Sequence, residues 1–174
     1  ATGKYDTAQY YFDKSIRIAI ENYGKRNEAA ADSYGLRGKL FADRGMYQPA
    51  LKDFQQMLIS TVPGFETSDI FTIPAIQDEN PYFVTIITAH FNKGDTFLAW
   101  YKVEKNPEYL ELALKNYRAA YHQLMIARNA IGDELSKPFL MLSFEKSIEQ
   151  SIDCAQLLYD TTKDPLYFQD AFHF

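Results

Sequence analysis

The chain aligns with itself at two fixed offsets. An offset of 42 residues pairs identical residues in the N-terminal half: Gly3 with Gly45, Tyr5 with Tyr47, Ala8 with Ala50, and Phe12 with Phe54. An offset of 58 residues does the same in the C-terminal half: Tyr101 with Tyr159, Lys105 with Lys163, Pro107 with Pro165, Tyr109 with Tyr167, and Ala113 with Ala171. Self-similarity at periods of this order indicates a solenoid built from stacked helix pairs.

Proline positions and apolar spacing define the helices. Asn80-Pro81, Asn106-Pro107 and Asp164-Pro165 each place a capping side chain before a proline, which is tolerated there because its missing N–H has no partner in the first turn. Apolar residues then recur at intervals of three and four, and no segment shows the alternation of a strand. The pattern predicts helices over 4–22, 27–44, 47–60, 81–104, 107–129, 137–162 and 165–174.

These helices are expected to form one all-α domain over residues 1–174, a superhelix of antiparallel helix pairs. We expect five parts: a partial repeat over 1–22, a repeat over 27–60, an insertion over 61–80, a long repeat over 81–129, and a long truncated repeat over 137–174. The insertion is longer than the roughly 2–8 residues usual between helices of an array. A short turn is expected within it near 69–73.

The residue types at the repeated positions have a packing reason. A small residue such as Ala50 lets a second helix approach closely, and Phe54, one turn later, fills the space beside it. Gly38 costs its helix about 1 kcal/mol relative to alanine. Close contact with the partner helix is the best explanation for a glycine at that position.

Five residues resemble the signature of the tetratricopeptide repeat (TPR), with the spacing of that family: Tyr34, Gly38, Phe41, Ala50 and Phe54. Three positions depart from it, since Tyr replaces Trp at 34, Arg replaces Leu at 37 and Met replaces a small residue at 57. The 42-residue spacing exceeds the TPR norm of about 34 and is similar to that of kinesin-light-chain-type repeats. The resemblance implies a concave face, lined by the first helix of each pair, that binds an extended peptide or a helix.

The C-terminal half carries a second resemblance. Residues 133–137, 152–167 and 171–172 resemble the TPR region of bacterial proteins that end in a CHAT domain, which is caspase-like. This resemblance implies that the repeats precede a peptidase-like domain beginning well beyond Phe174. Because no residue of that domain is present, the resemblance assigns no catalytic residue to this chain.

Composition limits the classes of partner. Aromatic residues make up 16% of the chain, and we expect most of them to pack between helices. Four rings outside the signature positions are free to line a groove instead: Tyr10, Tyr11, Tyr23 and Tyr82. The net charge of −5, with basic residues interspersed among acids, gives no attraction for nucleic acid. No apolar run approaches the roughly 20 residues of a spanning helix, so membrane insertion is not expected.

Three sets of residues have side chains that catalytic or metal sites use, but none lies in a complete motif. Ser143 and Lys146 have the Ser-x-x-Lys spacing of acyl-transferring enzymes, but the companion motifs are absent. Cys154 is the single cysteine and lacks the flanking residues of cysteine peptidases. The histidines do not pair at helical ligand spacing: His90, His122 and His173. We therefore expect no catalytic residue, no metal site and no cofactor, with His90 packed or hydrogen-bonded.

Polar positions beside the packing stripe of each first helix are the candidate groove residues. They are Asp32, Lys39, Asp43, Asn92, Asp95, Lys102, Gln150, Asp153 and Asp160. Their mixed charge predicts no strong preference for a highly charged ligand. The simpler alternative is an ordinary solvated surface.

The sequence therefore predicts a non-catalytic scaffold that binds a protein or peptide, within a larger cytoplasmic bacterial protein. A peptide-sensing regulator that controls another effector is the alternative, and an enzyme in its own right is the less favoured one. Because 1–22 and 165–174 belong to incomplete repeats, self-association or fraying at both ends is also expected.

Overall fold

The computed structural model describes residues 2–75 and 80–174, and all regular structure in that part of the chain is helical. Its helices are α1 (Thr2–Tyr23), α2 (Glu28–Asp43), α3 (Tyr47–Thr61), α4 (Phe83–Glu104), α5 (Pro107–Ala130), α6 (Ser136–Leu142), α7 (Glu145–Thr162) and α8 (Pro165–His173). The predicted fold class, an all-α superhelix of antiparallel helix pairs, is confirmed.

The helices pack as pairs that follow one another along the array. α2 packs on α3, α4 on α5, and α7 on α8, while α1 packs on α2. α2 also contacts α4, and α4 contacts α7, so the first helices of successive pairs lie side by side. The main apolar cluster joins the last two pairs around Phe91, Tyr117 and Leu158, so each of those pairs is stabilised by the other.

Two glycines mark the closest approach of paired helices. A Cβ atom on Gly38 would lie 2.6 Å from the ring of Phe54 on α3, and one on Gly94 would lie 2.5 Å from the ring of Tyr117 on α5. Both rings are fully buried. The predicted role of Gly38 in close helix contact is confirmed, and Gly94 has the same role in the next pair.

The α4–α5 pair is longer than the α2–α3 pair at the turn that joins its helices. α4 continues ten residues beyond Gly94, whereas α2 continues only five beyond Gly38. At 1.5 Å per residue, the tip of the longer pair extends about 8 Å further. That tip carries Trp100 of α4 stacked on Tyr109 of α5, with ring centroids 4.2 Å apart.

Two of the three predicted Asn/Asp-Pro helix starts are confirmed. Asn106 and Asp164 cap α5 and α8, and each accepts a hydrogen bond from the backbone N–H two residues further on. The third start, predicted at 81, is wrong by two residues, and α4 begins at Phe83. The side chain of Asn80 accepts from the N–H of Tyr82 in a turn that precedes the helix.

The prediction of one helix over 137–162 is also wrong, because α6 and α7 are separated by a break at Ser143 and Phe144. The backbone of Phe144 leaves helical geometry at φ −120° and ψ 7°. Its side chain is thereby buried, with its ring 5.5 Å from that of Phe91. Burial of this ring explains why the helix breaks despite continuous helical spacing in the sequence.

The described part of the predicted insertion is hydrogen-bonded to the connection between α1 and α2; residues 76–79 of that insertion are outside the described residues. The guanidinium of Arg26 donates to three backbone carbonyl oxygens between positions 59 and 65, at 2.6–3.1 Å. The turn predicted near 69–73 is present, with the N–H of Thr72 donating to the carbonyl oxygen of Asp69 over 3.2 Å.

A buried lysine connects the insertion to the core. Nζ of Lys93 donates to Oε1 of Gln55 over 2.6 Å and to the carbonyl oxygen of Thr72 over 3.3 Å. Nε2 of Gln55 in turn donates to the carbonyl oxygen of Thr67 over 3.0 Å. Burial lowers the pKa of Lys93 to about 7, and the nearby carboxylate of Asp69 opposes this shift.

Because of Lys93, we expect the free energy of unfolding to increase between pH 7 and about pH 8.5. The native amine loses its proton near pH 7, whereas an unfolded lysine keeps it to about 10.5, so unfolding takes up close to one proton in this window and rising pH favours the native state. Only the tails of two other unfolded-state titrations fall in this window, those of His90 near 6.5 and Cys154 near 9.0, and their effects on the free energy of unfolding are small and of opposite sign. Urea melts at several pH values measure the increase.

The variant Lys93→Met serves as the control for this pH dependence. It removes the titrating amine, so its stability should be nearly independent of pH over the same window. An equal increase in the variant and the parent protein would contradict the assignment to Lys93.

An ionic network joins the first three helices at the position where the TPR signature has leucine. Nε and Nη2 of Arg37 donate to the two carboxylate oxygens of Asp53 over 2.7 and 2.6 Å, and Nη1 donates to Asp13 over 2.5 Å. The side chain of Asp53 is only 6% exposed. Hydrogen bonding to Asp53 raises the pKa of Arg37, so the guanidinium remains charged.

Candidate binding face

The first helices α2, α4 and α7 carry the nine candidate groove residues. Six of their side chains are exposed: Asp32, Lys39, Asp43, Lys102, Asp153 and Asp160. Three are half-buried: Asn92, Asp95 and Gln150. Because α2, α4 and α7 lie side by side, they form a continuous face across the three pairs.

A cavity of about 250 Å³ separates α2 from α4 on this face. Asp32 and Lys39 line it from α2, and Asn92 lines it from α4. The remaining lining residues are Gly35, Leu36, Met57 and Thr88, none of which is among the nine candidates. The cavity therefore has charged and amide groups beside an apolar lining, which suits a peptide with both kinds of side chain.

The sequence contains a signal for one of these four residues, Leu36. Leu36 lies four residues after Asp32 and three before Lys39, which is the spacing of a single helix face. It is also 55% exposed, which is unusual for a leucine in a packed pair and marks an accessible apolar contact. Met57 belongs to α3, so only the packing of the two helices brings it to this cavity.

On this face, the α4–α5 pair meets the α7–α8 pair at Asp95. Its Oδ1 accepts a hydrogen bond from the hydroxyl of Tyr117 over 2.8 Å. With the amide of Gln150 turned so that its nitrogen faces Asp95, that nitrogen lies 3.0 and 3.3 Å from the two carboxylate oxygens. Burial raises the pKa of Asp95, against the opposing charges of three ammonium groups, one from each first helix: Lys146, Lys39 and Lys102.

Other candidates lie apart from the cavity and from Asp95. Asp160 forms an ion pair with Lys163 over 3.6 Å at the C-terminal end of α7. Asp43 is the last residue of α2, and Asp153 is exposed on α7. The structure thus brings Asp95 and Gln150 together and gathers three of the nine around the cavity, while partner binding by any of the nine stays a prediction.

The fragments of catalytic motifs have structural roles. Cys154 is fully buried, and burial raises the pKa of its thiol to about 12, so the reactive thiolate is scarce at neutral pH. Oγ of Ser143 donates to the carbonyl oxygen of Phe139 at the break between α6 and α7. His90 is buried with Nδ1 3.3 Å from Oδ1 of Asn116, which confirms the prediction that this histidine is packed or hydrogen-bonded between helices.

Two further findings concern metals and membranes. Within residues 2–75 and 80–174, His, Cys, Asp and Glu side chains form no group of three or more that could hold a metal ion. None of the helices described has both the length and the apolar composition needed to cross a bilayer.

Comparison with known proteins gives a match over the N-terminal third of the chain. Residues 1–58 match the family model of the tetratricopeptide repeat, a range that contains α1, α2 and most of α3. No curated protein and no solved structure gives a significant match. The TPR resemblance is therefore supported over these residues, while the likeness to kinesin light chains and to CHAT-domain proteins stays a prediction.

Proposed function

We propose that the face formed by α2, α4 and α7 binds a segment of a partner protein, as an extended chain or as a helix, and that the chain is a non-catalytic scaffold. The observation that carries this proposal is the cavity between α2 and α4, where exposed Leu36 lies between the charged groups of Asp32 and Lys39. Stacked helix pairs present such concave faces to peptides.

Charge reversal on this face is expected to weaken partner binding. Lys39→Glu and Lys102→Glu each place a carboxylate where the face carries an ammonium group, and we expect affinity for a recovered partner to fall about three- to tenfold at low salt. Affinity capture with the chain as bait identifies partners, and titration calorimetry of the parent and variants measures the change.

The matched control is Lys52→Glu, since Lys52 is an exposed lysine on α3, outside the proposed face. It should leave affinity unchanged. If every recovered partner binds Lys39→Glu and Lys102→Glu as tightly as the parent protein, the assignment of this face is wrong.

We also propose a class of protein to which the scaffold belongs. The likeness of residues 133–137 and 152–167 to CHAT-associated repeats supports a bacterial cytoplasmic protein in which the array positions or regulates a caspase-like domain. The native gene downstream of the Phe174 codon tests this proposal directly, because an unrelated domain there would contradict it.

Self-association is the remaining part of the proposal. Exposed apolar side chains occur on both terminal helices: Tyr10, Tyr11 and Ile18 on α1, and Leu166, Phe168 and Phe172 on α8. We expect the chain to sediment partly as a dimer or larger species at about 100 μM, and Leu166→Ser with Phe172→Ser to shift it towards monomer. Sedimentation as a monomer at all concentrations would contradict this expectation.

A further inference from the structure

A second cavity, of about 390 Å³, lies between the insertion and α5. Its lining residues are Phe71, Glu108, Tyr109, Glu111, Leu112 and Lys115, none of which belongs to α2, α4 or α7. Its volume falls within the roughly 300–1,000 Å³ of small-ligand sites. Two aromatic rings and two carboxylates therefore lie around one concave space that the proposed peptide-binding face does not use.

Each of the two rings packs against a second aromatic ring. The ring of Phe71 stacks on that of Phe97 with centroids 6.1 Å apart and an interplanar angle of 28°. The ring of Tyr109 stacks on that of Trp100 at 4.2 Å and 20°. Phe97 is fully buried, whereas Phe71 is 49% exposed, so the insertion presents an aromatic surface to solvent on a packed support.

The turn that carries Phe71 is fixed by the core. Ile70, the preceding residue, is buried, and the N–H of Phe71 donates to Oδ1 of Asp69 over 3.1 Å. Lys93 and Gln55 hold backbone carbonyl oxygens on both sides of this turn. A ligand that contacts Phe71 would therefore meet a preformed surface, which reduces the entropic cost of binding.

The charge around this cavity is negative. Glu108 and Glu111 contribute two carboxylates and Lys115 one ammonium group, so the lining carries a net charge of −1. Across residues 2–75 and 80–174, neither glutamate forms an ion pair. Burial, followed by the nearby carboxylates of Glu104 and Glu108, raises the pKa of Tyr109.

Some rings of the chain are already covered by one of its own cations, and the two rings of this cavity are not among them. Arg44 lies over Tyr5, Lys105 over Tyr101 and Lys163 over Tyr159, at 5.3–5.5 Å from the ring centroids. Within the described part of the chain, no lysine or arginine lies over Phe71 or Tyr109. The face of each ring that is not stacked on Phe97 or Trp100 is therefore available to a cation supplied from outside the chain.

We propose that this cavity binds an organic cation, with its positive group against Phe71 and Tyr109 and within reach of Glu108 and Glu111. Aromatic faces attract quaternary ammonium and guanidinium groups, and a neighbouring carboxylate adds a favourable Coulomb term. The cation has two possible sources, a free small quaternary amine or the basic side chain of a peptide, and both present the same chemistry to the cavity.

Titration of the isotopically labelled chain, followed by NMR chemical shifts, tests this proposal. The probes are choline, its neutral isostere 3,3-dimethylbutan-1-ol, and N-acetylarginine amide. We expect choline or the arginine derivative to bind with a dissociation constant on the order of 1 mM and the isostere at least about tenfold more weakly. Tighter binding of choline indicates a free amine, and tighter binding of the arginine derivative indicates a peptide side chain.

Two variants assign the binding to this cavity. Phe71→Ala should weaken it about three- to tenfold and Glu111→Gln about two- to fivefold. Phe139→Ala and Glu149→Gln remove the same groups from an exposed phenylalanine and an exposed glutamate elsewhere, and both should bind like the parent protein.

Three results would overturn the proposal. They are equal binding of choline and its neutral isostere, unchanged binding by both Phe71→Ala and Glu111→Gln, and the absence of shifts at this cavity with about 50 mM of either cation. Glu111 is an exposed helix residue, so Glu111→Gln gives a clear answer even if Phe71→Ala alters the insertion.

Discussion

Replacement of Gly94 by alanine is expected to lower the free energy of unfolding by about 1–3 kcal/mol, although alanine favours helix formation by about 1 kcal/mol. The new Cβ would lie 2.5 Å from Cε1 and 2.7 Å from Cδ1 of Tyr117. That ring cannot move aside easily, because it is fully buried and its hydroxyl is hydrogen-bonded to Asp95. The helices would have to separate or the ring would have to leave its position.

The same substitution at other helical glycines provides the controls. Gly3→Ala meets open space and should be neutral or stabilising by up to about 1 kcal/mol. Gly35→Ala would meet the sulfur of Met57 at 3.2 Å, and a flexible side chain can yield, so its effect should be intermediate. Urea denaturation of the three variants measures this order, and equal effects at all three would show that helix contact does not set the cost.

Replacement of Arg37 by methionine is expected to destabilise the protein by about 3–5 kcal/mol, the range for breaking a buried ion pair by removing one partner. Methionine keeps much of the apolar stem but leaves the carboxylate of Asp53 without its two hydrogen bonds, in a site where it is 6% exposed. Since α1 is joined to α2 through Asp13 of the same network, we expect α1 to lose protection from hydrogen exchange first.

A double variant separates charge from packing. Arg37→Met with Asp53→Leu removes both charges, so it should recover most of the lost stability. Lys137→Met, which breaks an ion pair with the exposed Glu134, should change stability by less than about 1 kcal/mol. A double variant as unstable as Arg37→Met alone would show that the arginine acts through packing.

The sequence predicts the fold well where the signal is local. Helical spacing and the caps Asn106 and Asp164 depend on neighbours within one turn, and the structure places those helices within one or two residues of the predicted ends. The contact of Gly38 with the next helix was also predictable, because a glycine inside a helix has a cost that needs a packing reason.

Features that depend on distant contacts were not predictable. The break before α7 follows from burial of Phe144 against Phe91, more than fifty residues earlier in the chain. The same is true of Lys93, which the apolar spacing of its helix cannot distinguish from a surface lysine. In the candidate face, exposed polar residues such as Lys39 could be selected from helix spacing. Met57 could not, because it belongs to α3 and reaches the cavity between α2 and α4 only through the packing of the helices.

The unequal lengths of the first two helix pairs affect how the chain can misfold. In an array of identical units, each pair fits any neighbour, so a pair can dock one unit out of place during folding. Here the tip of α4–α5 extends about 8 Å beyond that of α2–α3. A docking error by one unit would separate Trp100 from Tyr47 of α3, on which its ring stacks with centroids 6.0 Å apart, so the order of the pairs is specified by length as well as by sequence.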